Sequence, residues 1–111
     1  NWDIIYLGIT RPCGTKITKN ILNANNKKCI NNNGGTFGYI INNNSVKKLI
    51  QLCDKPIDKM IDHTLRNNFE YLNIYIATPL IVNHNYNIDS IRKSGKYNLN
   101  YILMANKTID Y

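Results

Sequence analysis

Gly35-Thr36-Phe37-Gly38-Tyr39-Ile40-Ile41-Asn42, a lysine-rich segment from Ser45 to Cys53, and then Pro56-Ile57-Asp58 form the stretch on which the fold reading turns. Thr36 to Ile41 carries β-branched and aromatic residues on both faces, which predicts a strand covered on both sides, as in an α/β sheet. Ser45 is placed to cap the next helix, since its hydroxyl can take one of the orphan amides of the first turn. Val46, Leu49, Ile50 and Cys53 recur at i, i+3, i+4 and i+7, which predicts an amphipathic helix with Lys47, Lys48 and Gln51 opposite. Pro56 stops that helix and makes Lys55 an extended link. A second helix is predicted from Ile57 or Asp58, with Ile57, Met60, Ile61, Thr64 and Leu65 along one side. Asp58 then falls in its first turn, where a carboxylate interacts well with the helix dipole.

Upstream, Asn33-Gly34-Gly35 is a strong turn signal, and Asp3 to Leu7 reads as a buried strand ending at Gly8. Residues 9–35 are poorly patterned, although Ile17, Ile21 and Leu22 have helix-like spacing. Downstream, Leu72-Asn73-Ile74-Tyr75-Ile76 alternates and reads as a strand near a sheet edge. Pro79 to Val82 reads as a further extended segment. Residues 98–105 fit a strand or a short helix, and periodicity does not choose between them. Two strand–helix alternations without an internal repeat give an α/β class.

A chain of 111 residues forms at most one domain with a modest core. Its 43% hydrophobic content and eight tyrosines favour a folded chain over a disordered one. No apolar run reaches the roughly 18 residues of a membrane span, and no signal-peptide pattern is present. Because a strand-like run follows Asn1 at once, an excerpt of a longer protein is expected. The net charge of +7 would suggest nucleic-acid binding. However, eleven lysines face only three arginines, and Lys, Asn, Ile and Tyr share AT-rich codons. Arginine is the residue best suited to bidentate phosphate and guanine contacts, so a nucleic-acid role ranks low. Cys13, Cys29 and Cys53 form no C-x-x-C pair and read as buried or reduced thiols. With only His63 and His84 beside them, no structural zinc site is expected. The sequons at Asn43 and Asn106 are those chance supplies in an asparagine-rich chain.

Read by position alone, Asp58 is a helix cap, His84 a polar loop residue, and His63 a structural helix residue. Arg92 and Lys93 read as a solvated surface pair. Asp54, Asp58 and Asp62 lie four apart and read as first-turn and solvent-face charges. Gly34-Gly35 lacks the spacing of a phosphate-binding loop. There is no Asp-x-Asp.

Taken together with Trp2-Asp3-Ile4-Ile5-Tyr6-Leu7-Gly8 upstream and Pro79-Leu80-Ile81-Val82 downstream, the central stretch resembles the C-terminal half of family 25 glycosyltransferases. That family includes collagen galactosyltransferases and enzymes of lipooligosaccharide biosynthesis. The resemblance covers residues 2–8 and 35–92. It implies a partial GT-A-like, Rossmann-like mixed sheet flanked by helices, with residues 9–34 a variable insertion and 94–111 an unassigned tail. It implies transfer of galactose or glucose from a UDP-sugar to a hydroxyl of a sugar or of hydroxylysine in a collagen-like protein. Asp58, in the family's Pro-(Val/Ile)-Asp element, becomes the candidate base that takes the acceptor proton. His84 becomes a candidate Mn²⁺ ligand, because some related transferases place a His after the final strand. Many members instead resemble Pro-x-x-Val-x-Gln there. Arg92, beside an Asp89-Ser90-Ile91 element similar to the family's Ser-Asp-Ile, becomes a candidate diphosphate ligand. The family's acidic metal motif sits upstream of the segment matched by Trp2, so this chain alone is expected to be inactive.

The Asn-rich coding fits copies of the family in large DNA viruses and some protists. Self-association through an exposed strand edge and a cytoplasmic location complete the expectations. A non-catalytic α/β binding or assembly module, and a basic nucleic-acid-binding domain, are the rival readings.

Overall fold

The computed structural model describes residues 1–54, 60–85 and 99–111. Six strands form one mixed sheet: β1 (Ile4–Thr10), β2 (Cys13–Thr18), β3 (Ile21–Asn23), β4 (Gly34–Ile41), β5 (Ile74–Ala77) and β6 (Ile109–Asp110). Their spatial order is β4-β1-β5-β3-β2-β6. Among the described residues three α-helices accompany them: α1 (Val46–Cys53), α2 (Ile61–Asn67) and α3 (Leu99–Asn106). The chain is α/β. At the centre β1 and β5 run parallel, with Ile4 opposite Ile74 and Tyr6 opposite Ile76. Parallel neighbours need a long crossover, and the chain between them contains β4, α1 and α2. β4 lies antiparallel to β1 on one side, and β3 lies antiparallel to β5 on the other.

The core forms where these strands meet the helices. Ile4, Tyr6, Ile9, Leu22, Leu72, Ile74 and Ile76 are buried, and Leu49 from α1 and Leu65 from α2 join them. Each such side chain contributes about 1.5–3 kcal/mol when fully buried. α1 differs from its predicted face. Leu49 is buried and Leu52 packs on the core, while Val46, Ile50 and Cys53 are exposed. The helix spacing was read correctly, but its inward stripe is rotated toward Leu49 and Leu52.

Other expectations are corrected by neighbours that a local window does not contain. β5 is central, with Ile74 and Ile76 fully buried, rather than near an edge. β4 lies instead at the end of the sheet, and its Tyr39, Ile40 and Ile41 are exposed. Its apolar character is thus not the sign of two covered faces. Ile17, Ile21 and Leu22 belong to a hairpin, not a helix: Lys16 pairs with Leu22, and Thr18 with Ile21. The Asn20 N–H donates to Thr18 Oγ1 (3.2 Å) in its turn. α2 begins at Ile61, after Met60 in extended conformation. Residues 78–82 form bends rather than a strand, and residues 99–106 form the helix of the two alternatives.

The cysteine reading is also corrected. Cys13 and Cys29 form a disulfide, leaving Cys53 free. Sequence spacing gave no sign of it, because β2 and the turn at Lys27–Cys29 meet only through the tertiary fold. Asn33 sits beside this bond, fully buried and at φ 57°. Its side chain accepts from the Cys13 N–H at 2.7 Å and donates to the Cys13 carbonyl at 2.8 Å. This mimics a strand partner for the Cys13 N–H and carbonyl, while β6 pairs with β2 through Ile109. The Asn33-Gly34-Gly35 turn thus takes two positive φ angles, at Asn33 and at Gly35 (71°), and delivers the chain into β4.

Candidate functional site

In open α/β sheets, ligands bind outside the carboxyl ends of the parallel strands. At that end of β1, Gly8 faces Gly38 across the β1–β4 pair. The segment after β5 crosses directly over these two glycines. The N–H groups of Ile81 and Val82 both donate to the Leu7 carbonyl, at 2.8 and 3.0 Å. A Cβ on Gly8 would collide with the Val82 carbonyl oxygen, and one on Gly38 would lie 2.8 Å from Val82 Cγ2. The missing side chains therefore make room for the crossing, and the crossing sets the position of His84. Its ring packs against Phe37 of β4, with centroids 5.0 Å apart.

Phe37 in turn closes over the start of β4. A Cβ on Gly35 would fall 2.8 Å from Phe37 Cζ and 3.3 Å from Thr10 Oγ1. The Gly35 N–H donates to Asp62 Oδ2 at 2.8 Å. Asp62, from the first turn of α2, is therefore not the solvent-face charge its spacing suggested. It pins α2 to the turn that starts β4. Asp62, Gly35, Phe37 and His84 thus form one connected cluster beside the end of β1. Tyr6 lies within the field of this cluster. Burial pushes its phenol well above the usual value, with the nearby Asp62 carboxylate and Tyr39 adding to the effect. Tyr6 is thereby held neutral and packs edge-on against Tyr39, with ring centroids 6.5 Å apart.

The opposite end of β1 carries a second polar centre, at Asp3. This carboxylate is buried and accepts from Ser45 Oγ (2.5 Å), Lys48 Nζ (2.8 Å) and the Asn73 N–H (2.7 Å). Burial acts to raise its pKa, but the bonds from Lys48, Ser45 and Asn73 more than offset that and hold it below the ordinary value. Ser45 consequently does not cap α1 through its side chain. Asn42 caps the preceding 3-10 turn instead, accepting from the Asn44 N–H. Asp3 joins β1, the start of α1 and the start of β5, and its surroundings leave it a structural role.

Of the residues singled out from sequence, Asp58 and Arg92 lie outside the described residues. His84 is described and half-buried beside Phe37. His63 sits half-buried within α2. Among the described residues there is no group of three or more His, Cys, Asp or Glu side chains that could hold a metal. Asp62 is committed to Gly35. Asp62 and Asp3 are the residues that sequence reasoning missed. The signal for Asp62 was its position in the first turn of a helix next to a Gly-Gly turn, which becomes visible only once the two are in contact.

Comparison with protein-family models, with curated proteins and with solved structures gives no match to this chain. Among the described residues, no helix is long and apolar enough to cross a membrane.

Proposed function

We propose that the chain is the acceptor-side portion of a GT-A-like glycosyltransferase resembling family 25. It would act with a UDP-hexose donor and a hydroxyl acceptor on a glycan or a collagen-like protein. The observation that carries this reading is an order of elements. Strand β4, helix α1, Pro56-Ile57-Asp58, helix α2, strand β5 and the 79–82 crossing follow one another. β4 and β5 flank β1, whose Trp2-to-Gly8 segment carries the rest of the resemblance. The glycine pair under Val82 gives a physical reason for Gly8 and Gly38 in those motifs.

In a single displacement, the acceptor oxygen forms its bond to the anomeric carbon as the bond to the UDP oxygen breaks. UDP leaves with that electron pair, and the configuration inverts. The acceptor proton passes to a carboxylate, for which Asp58 is the candidate. Arg92 is the candidate partner of the donor diphosphate, where a bidentate guanidinium suits phosphate oxygens. His84, held against Phe37, stays the candidate Mn²⁺ ligand of this reading.

The test is UDP release by the full-length protein in Mn²⁺ buffer against a panel of UDP-sugars, beside Asp58→Asn. Turnover with one sugar, lost in a folded Asp58→Asn variant, supports the reading and the base. Turnover that survives the substitution removes Asp58 from proton transfer. Neither turnover nor UDP binding would overturn the reading in favour of a non-catalytic α/β module.

A further inference from the structure

A groove of about 520 Å³ opens between the turn after β3 and the C-terminal end of α2. Lys27 and Ile30 line one side, and Arg66, Asn67, Phe69 and Glu70 the other. The volume falls within the range of small-molecule sites. Its shape is fixed in advance. Asn25 Nδ2 donates to the Phe69 carbonyl (3.0 Å) and the Leu72 carbonyl (2.7 Å), which ties the two walls together. Asn26 Nδ2 donates to Thr15 Oγ1 at 2.9 Å, and the Cys13–Cys29 disulfide anchors the same turn to β2.

Arg66 is the unfinished element. Its Nη1 reaches the Asn32 carbonyl only at 3.5 Å, and its Nε is buried with no hydrogen-bond partner. A buried donor left unmade is costly, more so on a charged group. Buried as it is, Nε is closed off from the groove and keeps the guanidinium in place, while the terminal nitrogens, held only loosely by Asn32, are the ones a ligand would meet. A guanidinium favours a planar carboxylate or a phosphate. The remaining lining is amphipathic. Phe69 and Ile30 offer apolar surface, Asn67 offers an amide, and Glu70 offers a carboxylate that accepts from hydroxyls. A pyranose ring has the matching character, with apolar C–H faces and a rim of hydroxyls.

We propose that this groove is a binding site for an acidic saccharide, a pyranose whose carboxylate or phosphate engages Arg66 while its ring lies on Phe69 and Ile30. The inference does not rest on the transferase reading, since it concerns binding at this groove and is tested by binding alone.

The experiment is amide-resolved NMR titration of the full chain with methyl glucuronide, glucose 6-phosphate, methyl glucoside and inorganic phosphate. The two acidic sugars should saturate shifts confined to residues 25–30 and 66–70. The neutral glucoside and inorganic phosphate should each bind at least tenfold more weakly. Which acidic sugar binds tighter distinguishes a carboxylate from a phosphate ligand. Arg66→Gln should reduce acidic-sugar affinity at least tenfold. Arg66→Lys, which keeps the charge but loses the planar fork of terminal nitrogens, should show a clear loss too and serves if the first variant fails to fold. Equal binding of neutral and acidic sugars, phosphate binding as tight as the sugars, an unaffected Arg66→Lys, or no binding of either acidic sugar would each overturn the proposal.

Discussion

Replacing Asp3 by asparagine removes the charge from the junction of β1, α1 and β5 while keeping nearly the same shape. In the native chain the carboxylate takes three donors: Ser45 Oγ, Lys48 Nζ and the Asn73 N–H. An amide offers one acceptor oxygen in place of two and turns an NH2 toward at least one of those donors. Breaking a buried ion pair by removing one partner costs about 3–5 kcal/mol. Lys48 is 42% exposed and can turn to water, so its share is discounted. The Asn73 N–H and Ser45 hydroxyl remain, and hydrogen bonds to a charged acceptor contribute about 1.5–3 kcal/mol each, without simple additivity.

The expected loss is about 2–3 kcal/mol at pH 7, a large part of the roughly 5–15 kcal/mol that holds a domain together. Urea denaturation would read it as a midpoint lower by about 1–2 M, with an m-value of about 1–3 kcal/mol/M. The dependence on pH gives an independent check. The Asp3 pKa is lowered by folding from an ordinary value of 3.8, so its contribution is fully present above that value. It fades as pH falls through the lower folded value. The gap between wild type and Asp3→Asn should therefore be constant near neutrality and close only below about pH 4. A gap under 0.5 kcal/mol at pH 7, on the order of an ordinary surface substitution, would refute the reasoning. So would a gap that persists unchanged in acid.

Two further predictions follow from the same packing. Reducing the Cys13–Cys29 bond, which spans 16 residues, should cost about 3 kcal/mol by loop entropy. That would lower the melting temperature by on the order of 10 °C, read by circular dichroism with and without reductant, whereas Cys53→Ser should leave it unchanged. Gly38→Ala should cost about 1–3 kcal/mol through overpacking, and Val82→Ala should recover much of that, since the clash is with the Val82 side chain. The same partner should not rescue Gly8→Ala, whose added Cβ meets the Val82 backbone oxygen. A double-mutant cycle in thermal unfolding separates the two cases.

What the sequence determined by itself is whatever local periodicity and turn chemistry control. β1, β4, α1 and β5 are legible because each is a short apolar or amphipathic run bounded by Gly, Pro or Asn, and the alternation of strand and helix yields the α/β class. Which strand is central was not legible. Thr36 to Ile41 and Leu72 to Ile76 carry similar apolar content, and only pairing decides that the first is an edge and the second is enclosed. The β2–β3 hairpin was missed for a related reason. Its stabilising partners, β5 and the Cys29 turn, lie far along the chain, and two isoleucines four apart suit a helix equally well.

The polar centres show the same division. Asp62 meets Gly35 across 27 residues, and Asp3 meets Ser45, Lys48 and Asn73 across 42, 45 and 70. No window of sequence contains those pairs, so Asp62 reads as a first-turn or solvent-face charge and Asp3 only as the start of a strand. The tertiary structure decided their roles, because a carboxylate becomes structural only when folding removes its water and supplies donors in return.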